Sequence, residues 1–128
     1  MSGPLYEFVA AQGPECTVIH LNGDIDFAAV LEMGPRLEEL AVGCDGELGF
    51  DLEGVTFIDS EGLKMLIMMF ELMWRKGSRA RIQKLSDRVR RVMEMAGVAD
   101  ILLGAGPSTN SDRQFVWRTP GPGLSQRS

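Results

Sequence analysis

Phe57-Ile58-Asp59-Ser60-Glu61-Gly62-Leu63 is the stretch from which the rest of the chain is best read. To its left an apolar, strand-like run ends in acid; to its right a helical pattern continues without glycine or proline until Gly77. A strand that hands over directly to a helix is the seam of a β–α unit. Ser60 stands at this seam. Serine is a favoured N-cap, because its hydroxyl accepts a hydrogen bond from an unpaired N–H of the first turn. The plain structural role of Ser60 is therefore to start the helix. The same hydroxyl is a phosphate acceptor, and helix N-termini tolerate phosphate well.

Working rightward, Leu63, Leu66, Ile67, Phe70, Met73 and Trp74 recur at helical spacing and predict the core face of a helix over about 60–76. Met65, Met69 and Leu72 add a second apolar face, leaving Lys64, Glu71 and Arg75 as a polar stripe with Met68 among them. A helix this apolar is heavily buried or also used in an interface, and methionine suits adaptable contact surfaces. Burial is the default reading. Beyond Gly77, residues 79–83 predict a strand and 86–95 a helix capped by Ser86, with Val89, Val92, Met93 and Ala96 inward. Ile101-Leu102-Leu103 reads as a short final strand or apolar plug.

Working leftward, 47–52 predicts a strand, Asp51-Leu52-Glu53-Gly54 a turn, and 55–58 an extended approach to Ser60. Residues 27–42 are broadly helical but contain Gly34-Pro35. Proline disrupts a helix interior, so 27–33 is expected to be a separate turn, with the main helix beginning near Pro35 and turning Leu37, Leu40 and Ala41 inward. Asn22-Gly23-Asp24-Ile25-Asp26 reads as a turn carrying two carboxylates. Residues 5–11 and 17–21 read as strands around Gly13-Pro14, an antiparallel hairpin. The order is β-β-α-β-α-β-α. It predicts an α/β fold: one domain over 1–103 with a mixed β-sheet of four to five strands and helices packed on it. The glycine-, proline- and serine-rich segment 104–128 is expected to be a flexible tail, with Phe115-Val116-Trp117 an apolar island within it.

With 128 residues, 45% of them hydrophobic, the chain suits one ordinary core. Its net charge of -5 argues against nucleic acid as a direct partner. Residues 1–63 hold 13 acids and one base, Arg36, a net of -12; residues 64–128 hold 12 bases and 5 acids, a net of +7. The simplest reading is that the two halves interleave in the fold and neutralise each other. Cys16 and Cys44 show no paired spacing, which suggests reduced thiols and a cytoplasmic location. The N-terminus has no secretion-signal pattern. The longest apolar region, 63–74, is interrupted by charge and too short to span a bilayer, so no membrane insertion is expected.

Enzymatic readings find little support. Ser60 lies outside a G-x-S-x-G elbow, and the only histidine, His20, sits inside a predicted strand. His20 has no companion ligands at recognisable metal spacing. Acids such as Asp24, Asp26, Asp51 and Asp59 are more often solvated turn formers than Mg²⁺ ligands. No phosphate-binding glycine loop occurs. The expectation is a binding domain without cofactor, metal or catalytic residues, switched at Ser60. A response-regulator receiver has similar length, but the opening hairpin breaks its regular βα alternation.

Three segments carry a family resemblance. Leu21-Asn22-Gly23-Asp24-Ile25-Asp26 resembles the L-x-G-x-[LI]-D element of STAS domains. Residues 51–63 resemble that family's phosphorylation segment, D-L-x-x-V-x-x-[IM]-D-S-x-G-L. Residues 88–98 are similar to its third-helix segment, and together the three span about 5–103. In length and type the chain is similar to bacterial anti-sigma factor antagonists. The resemblance implies a protein that, unphosphorylated, binds an anti-sigma factor with serine kinase activity and so releases a sigma factor for transcription, as in stress responses. Phosphorylation of Ser60 would end that binding and a serine phosphatase would reset it, a partner switch. It further implies a partner surface of Asp24, Asp26, Asp59, Glu61, Gly62, Leu63, Lys64, Met65, Met68 and Met69. A weak homodimer is a subsidiary expectation. The alternative is a STAS subunit of another assembly, a lipid-transport system or stress-signalling complex, without a phosphoserine switch. Two features depart from the pattern. Glu61 stands where the family often has a second small hydroxyl residue, and 26–35 is longer than expected.

Overall fold

Strand pairing follows the chain. In the computed structural model, which describes residues 6–13 and 15–104, β1 (Tyr6–Gln12) pairs antiparallel with β2 (Cys16–Ile25). After α1 (Phe27–Gly43), β3 (Glu47–Ile58) joins β2 in parallel. After α2 (Ser60–Arg75), β4 (Ala80–Leu85) joins β3 in parallel. The mixed four-stranded sheet therefore has the order β1-β2-β3-β4. Helix α3 (Asp87–Met95) and the short α4 (Ala99–Leu103) complete the described chain. The opening hairpin and the βα units are as the sequence predicts. The tail over 105–128, with its Phe115-Val116-Trp117 island, lies outside the described residues.

One continuous core joins the sheet to the helices. Ile19, Leu21, Leu48, Phe50 and Leu52 point from β2 and β3 onto Met33 and Leu37 of α1, Leu66 and Met73 of α2, and Val89 and Met93 of α3, all fully buried. The Phe50 and Phe70 rings stack with centroids 6.3 Å apart, locking α2 to β3. On α2 the buried stripe is Leu63, Met65, Leu66, Met69, Phe70 and Met73; Trp74 is 42% exposed and Ile67 only half-buried. The inward face is thus rotated toward the methionines relative to the sequence-based expectation. On α3, Val89 and Met93 are buried while Ala96 is exposed.

Several elements differ from expectation for identifiable reasons. Helix α1 is continuous through Pro35. Its N-terminus is capped by Asp26, and Ala29, Met33, Leu37 and Ala41 are buried at four-residue intervals on both sides of the proline. Tertiary packing outweighs the one hydrogen bond a proline forfeits. The expected turn at 51–54 is instead an irregularity inside one long β3. The Asp51 carboxylate accepts a hydrogen bond from the Glu53 N–H at 3.0 Å, a turn-like contact. The pairing with β2 then slips, His20 facing Asp51 but Asn22 facing Gly54. A β-bulge thus does the bending that the sequence suggested for a turn. Similarly, 22–25 is not a free turn but the end of β2, with Gly23 at φ +90° where the register shifts. Residues 101–103 are helical, their Leu102 buried beside α2 and β4, so the sheet has four strands rather than five.

Because the sheet order is the sequence order, the two oppositely charged halves do not interleave. The acid-rich first half forms β1, β2, α1 and β3, while Arg81, Lys84, Arg88, Arg90 and Arg91 sit on β4 and α3 at the other edge. The halves meet where Glu47 of β3 binds Arg79 at 3.2 Å and Arg81 at 3.1 Å. On the edge strand β1, the Tyr6 hydroxyl donates to the Glu32 carboxylate, and that hydrogen bond, with burial second, holds the phenol pKa above its usual value.

Candidate functional site

The parallel strands β2 and β3 end together, Ile25 paired with Ile58. Each is followed by an aspartate and then a helix. Asp26 and Asp59 have the same extended backbone, φ -107° and ψ -173°, and each caps the helix it precedes. The Asp26 carboxylate accepts from the Ala29 N–H at 3.0 Å. Asp59 Oδ1 accepts from the Glu61 and Gly62 N–H groups, both at 3.0 Å. Asp59 Oδ2 accepts from the Phe27 N–H at 3.1 Å, so one carboxylate ties the starts of both helices together. Two helix N-termini, each with partial positive charge, converge on this end of the sheet.

Ser60 is therefore the first helical residue and not the cap. Both Asp and Ser are favoured N-caps, and here the aspartate takes the role because its two oxygens serve both helices. Ser60 is exposed, and its hydroxyl has no protein partner among the described residues. No histidine stands near it among the described residues. His20, the only histidine of the chain, binds Asp51 at 3.1 Å. Asp51 lies seven residues back along β3 from Ile58, about 20 Å of extended chain. A serine nucleophile activated by this histidine is excluded by that separation.

The remaining predicted site residues divide into two groups. Asp24 is half-buried and accepts a hydrogen bond from the Thr56 hydroxyl at 2.9 Å. Glu61 forms an ion pair with Lys64 at 3.1 Å, so its charge is turned along α2 and partly met. Lys64 and Met68 are exposed. By contrast Gly62, Leu63, Met65 and Met69 are buried. Leu63, Met65 and Met69 belong to the core and Gly62 to the seam, so these four lie beneath the exposed residues of the site. Gly62 is required by close approach: a Cβ there would lie 2.6 Å from the Ile25 carbonyl oxygen and 2.7 Å from Ile58 Cγ1. The pattern D-S-x-G thus encodes a cap, an exposed hydroxyl and a helix start pressed on the strand ends.

Sequence reasoning missed three contributors. The Phe27 N–H bonds Asp59. Thr56 links Asp24 to the end of β3. Arg88 of α3 donates to the Thr56 carbonyl oxygen at 3.2 Å, bringing a cation to the same end. The repeated pattern of an apolar strand end followed by Asp was the available signal for the first. No local pattern announces the other two, which depend on register. Among the described residues, no three His, Cys, Asp or Glu side chains are placed to hold a metal ion, and no helix is long and apolar enough to cross a membrane.

Comparison with known proteins places this geometry in context. The family model described as Mlab, STAS domain matches residues 8–104. The anti-sigma-B factor antagonist of Bacillus subtilis is 28% identical over 66% of this chain and 76% of its own length. The anti-sigma-B factor antagonist of Listeria monocytogenes is 31% identical over 66% of this chain and 74% of its own. Among solved structures, the anti-sigma factor antagonist SpoIIAA in its unphosphorylated form superposes with a TM-score of 0.65 at 18% identity, covering 94% of this chain and 100% of that one. The phosphorylated form of the Bacillus protein gives 0.60 at 18% identity, over 88% and 99%.

Proposed function

The chain belongs to the STAS domain family, and from that premise we propose that it is an anti-sigma factor antagonist switched by phosphorylation of Ser60. The unphosphorylated protein binds an anti-sigma factor that is also a serine kinase, releasing a sigma factor; phosphate on Ser60 ends the interaction, and a serine phosphatase restores it. A cytoplasmic location goes with this reading. The observation that carries it is the spare Ser60 hydroxyl. Asp59 starts the helix, leaving the serine exposed and unengaged at the point where two helix N-termini meet.

The physics of the switch follows from the surroundings. Phosphate adds about 1.5–2 negative charges. The helix dipoles favour charge there, so the modified domain stays folded. Asp59 already holds the free amides of the first α2 turn, so the phosphate projects as surface charge rather than being gathered in. With Asp24, Asp26, Asp59 and Glu61 around it, a partner must already be basic or neutral at this end. A further dianion desolvated in the interface opposes binding. A loss of about 2–3 kcal/mol weakens binding roughly 30–150-fold. The accessible partner surface is Asp24, Asp26, Asp59, Ser60, Glu61, Lys64 and Met68.

The test is phosphorylation by the cognate kinase and ATP, with partner capture. Phosphate is expected on Ser60 and is lost in Ser60→Ala, which binds the partner constitutively, while Ser60→Asp binds it weakly. Phosphate on an aspartate, or equal partner binding by the two variants, sinks the proposal. The matching family model is described as that of Mlab and not of an antagonist. This keeps a second reading, a STAS subunit of another assembly with no phosphoserine switch, and equal binding by the two variants is its expected result.

A further inference from the structure

Three large apolar side chains lie exposed on the two helices that start at this end of the sheet: Phe27 at 56% and Leu31 at 62% on α1, and Met68 at 55% on α2. We propose that Phe27 and Leu31, with Met68 on the neighbouring helix, form the apolar anchor that holds the kinase acting on Ser60. This rests on the function proposed above and adds α1 to a surface otherwise confined to the strand ends and α2.

Helical geometry fixes where these residues stand. The buried line of α1 runs through Ala29, Met33, Leu37 and Ala41. One flank of that line meets β1: Glu32 accepts from the Tyr6 hydroxyl, and the Arg36 guanidinium lies 5.0 Å over the Phe8 ring. At about 100° per residue, positions 27 and 31 stand roughly 160° from Ala29, on the outer face of α1 and away from β1. On α2, the Lys76 ammonium reaches the Ala41, Val42 and Cys44 carbonyl oxygens, which fixes the flank that faces α1. Glu61 and Met68, seven residues apart, lie on the solvent side of that flank. Phe27 stands at the Ser60 end, because its N–H is bound to the carboxylate of Asp59, the residue before Ser60.

Charge selects the occupant. The Ser60 end of these helices carries Asp24, Asp26, Asp59 and Glu61, of which Glu61 is met by Lys64. A second copy of this chain in a two-fold contact would set those acids against themselves. A partner with lysine or arginine around an apolar contact fits both features. Acidic groups steer encounter and set specificity more than they give affinity, whereas large side chains desolvated at the centre of an interface give most of it. An anchor beside Ser60 also explains how one phosphate can release the partner, since the new charge enters at the border of a dry contact.

The experiment uses the full chain and the activity, purified from the native host, that transfers phosphate from ATP to Ser60, with Ser60→Ala as blank. The Phe27→Ala/Leu31→Ala variant is expected to raise KM about tenfold or more with kcat nearly unchanged. Glu38→Ala, further along the same outer face of α1, is expected to stay within about twofold. Both are exposed positions and should melt with the wild type. If the double variant melts early, Leu31→Ala alone is compared, with about a threefold rise or more expected. A KM equal to wild type overturns the anchor and leaves the Ser60 switch standing. Absence of any Ser60 kinase activity removes both. Concentration-dependent self-association in sedimentation, abolished by the double variant, assigns the patch to a second copy and overturns the proposal.

Discussion

Gly62 carries the tightest constraint at the site. Its missing side chain lets the first turn of α2 sit against the Ile25 carbonyl oxygen, which also accepts from the Asp59 N–H at 3.3 Å. Gly62→Ala forces the helix start away from the strand ends. It is expected to cost about 1–3 kcal/mol in denaturant unfolding, and also to loosen the Asp59 clamp that positions Ser60. An unchanged unfolding midpoint would show that the seam is softer than this packing implies. The residue scale is also where the sequence was most informative and most ambiguous. Ser60 stood out from its motif alone. Which of two adjacent good caps would act was decided by a contact 32 residues away in sequence, the Phe27 N–H on Asp59. Glu61, which stands where the family often has a small hydroxyl residue, forms an ion pair with Lys64 that is exposed and so contributes at most about 1 kcal/mol, and that pair directs its charge along the helix.

At the scale of elements, the two central helices are bound at both ends. Their N-termini share Asp59. Their C-termini share Lys76, whose ammonium donates to the Ala41 and Cys44 carbonyl oxygens at 2.6 Å and to that of Val42 at 2.9 Å. Helix α1 has no basic residue in its own last turn, so the cation comes from the neighbouring helix. Lys76→Met removes a charged cap from three carbonyls, of which only that of Ala41 has a second donor, the Cys44 N–H, and is expected to cost about 1–2 kcal/mol. That lowers the melting temperature by roughly 4–8 °C per kcal/mol for a domain of this size; a shift no larger than that of neighbouring Arg75→Met would overturn the assignment. Element order was legible because hydrophobic period and turn residues are local. The errors came where tertiary packing overrode local rules. A buried line of Ala29, Met33, Leu37 and Ala41 carried α1 through Pro35. Parallel pairing with β2 on both sides of the bulge, and with β4 as far as Leu52, kept β3 extended through turn-like Asp51-Leu52-Glu53-Gly54. The apolar residues 101–103 became a helix that packs on α2 and β4 and buries Leu102, instead of adding a strand at the β4 edge.

For the whole molecule, the placement of charge follows from sheet order. Acidic β1, β2 and α1 lie at one edge and basic β4 and α3 at the other, so the protein is electrically lopsided despite a net charge of only -5. The strand-end surface around Ser60 draws chiefly on the acidic side. Association with the kinase partner proposed above is therefore expected to slow about tenfold or more as salt rises from about 0.05 to about 0.5 M, with dissociation little changed. Stopped-flow mixing measures this, and a salt-independent association rate would show that the acids do not steer. The same ordered sheet bears on how the molecule is made. Each of β2, β3 and β4 pairs with the strand immediately before it, across a hairpin or a single helix. No gap is left in the sheet for a later strand to fill. A nascent chain emerging from the ribosome can add each unit to a finished edge, in the order of synthesis.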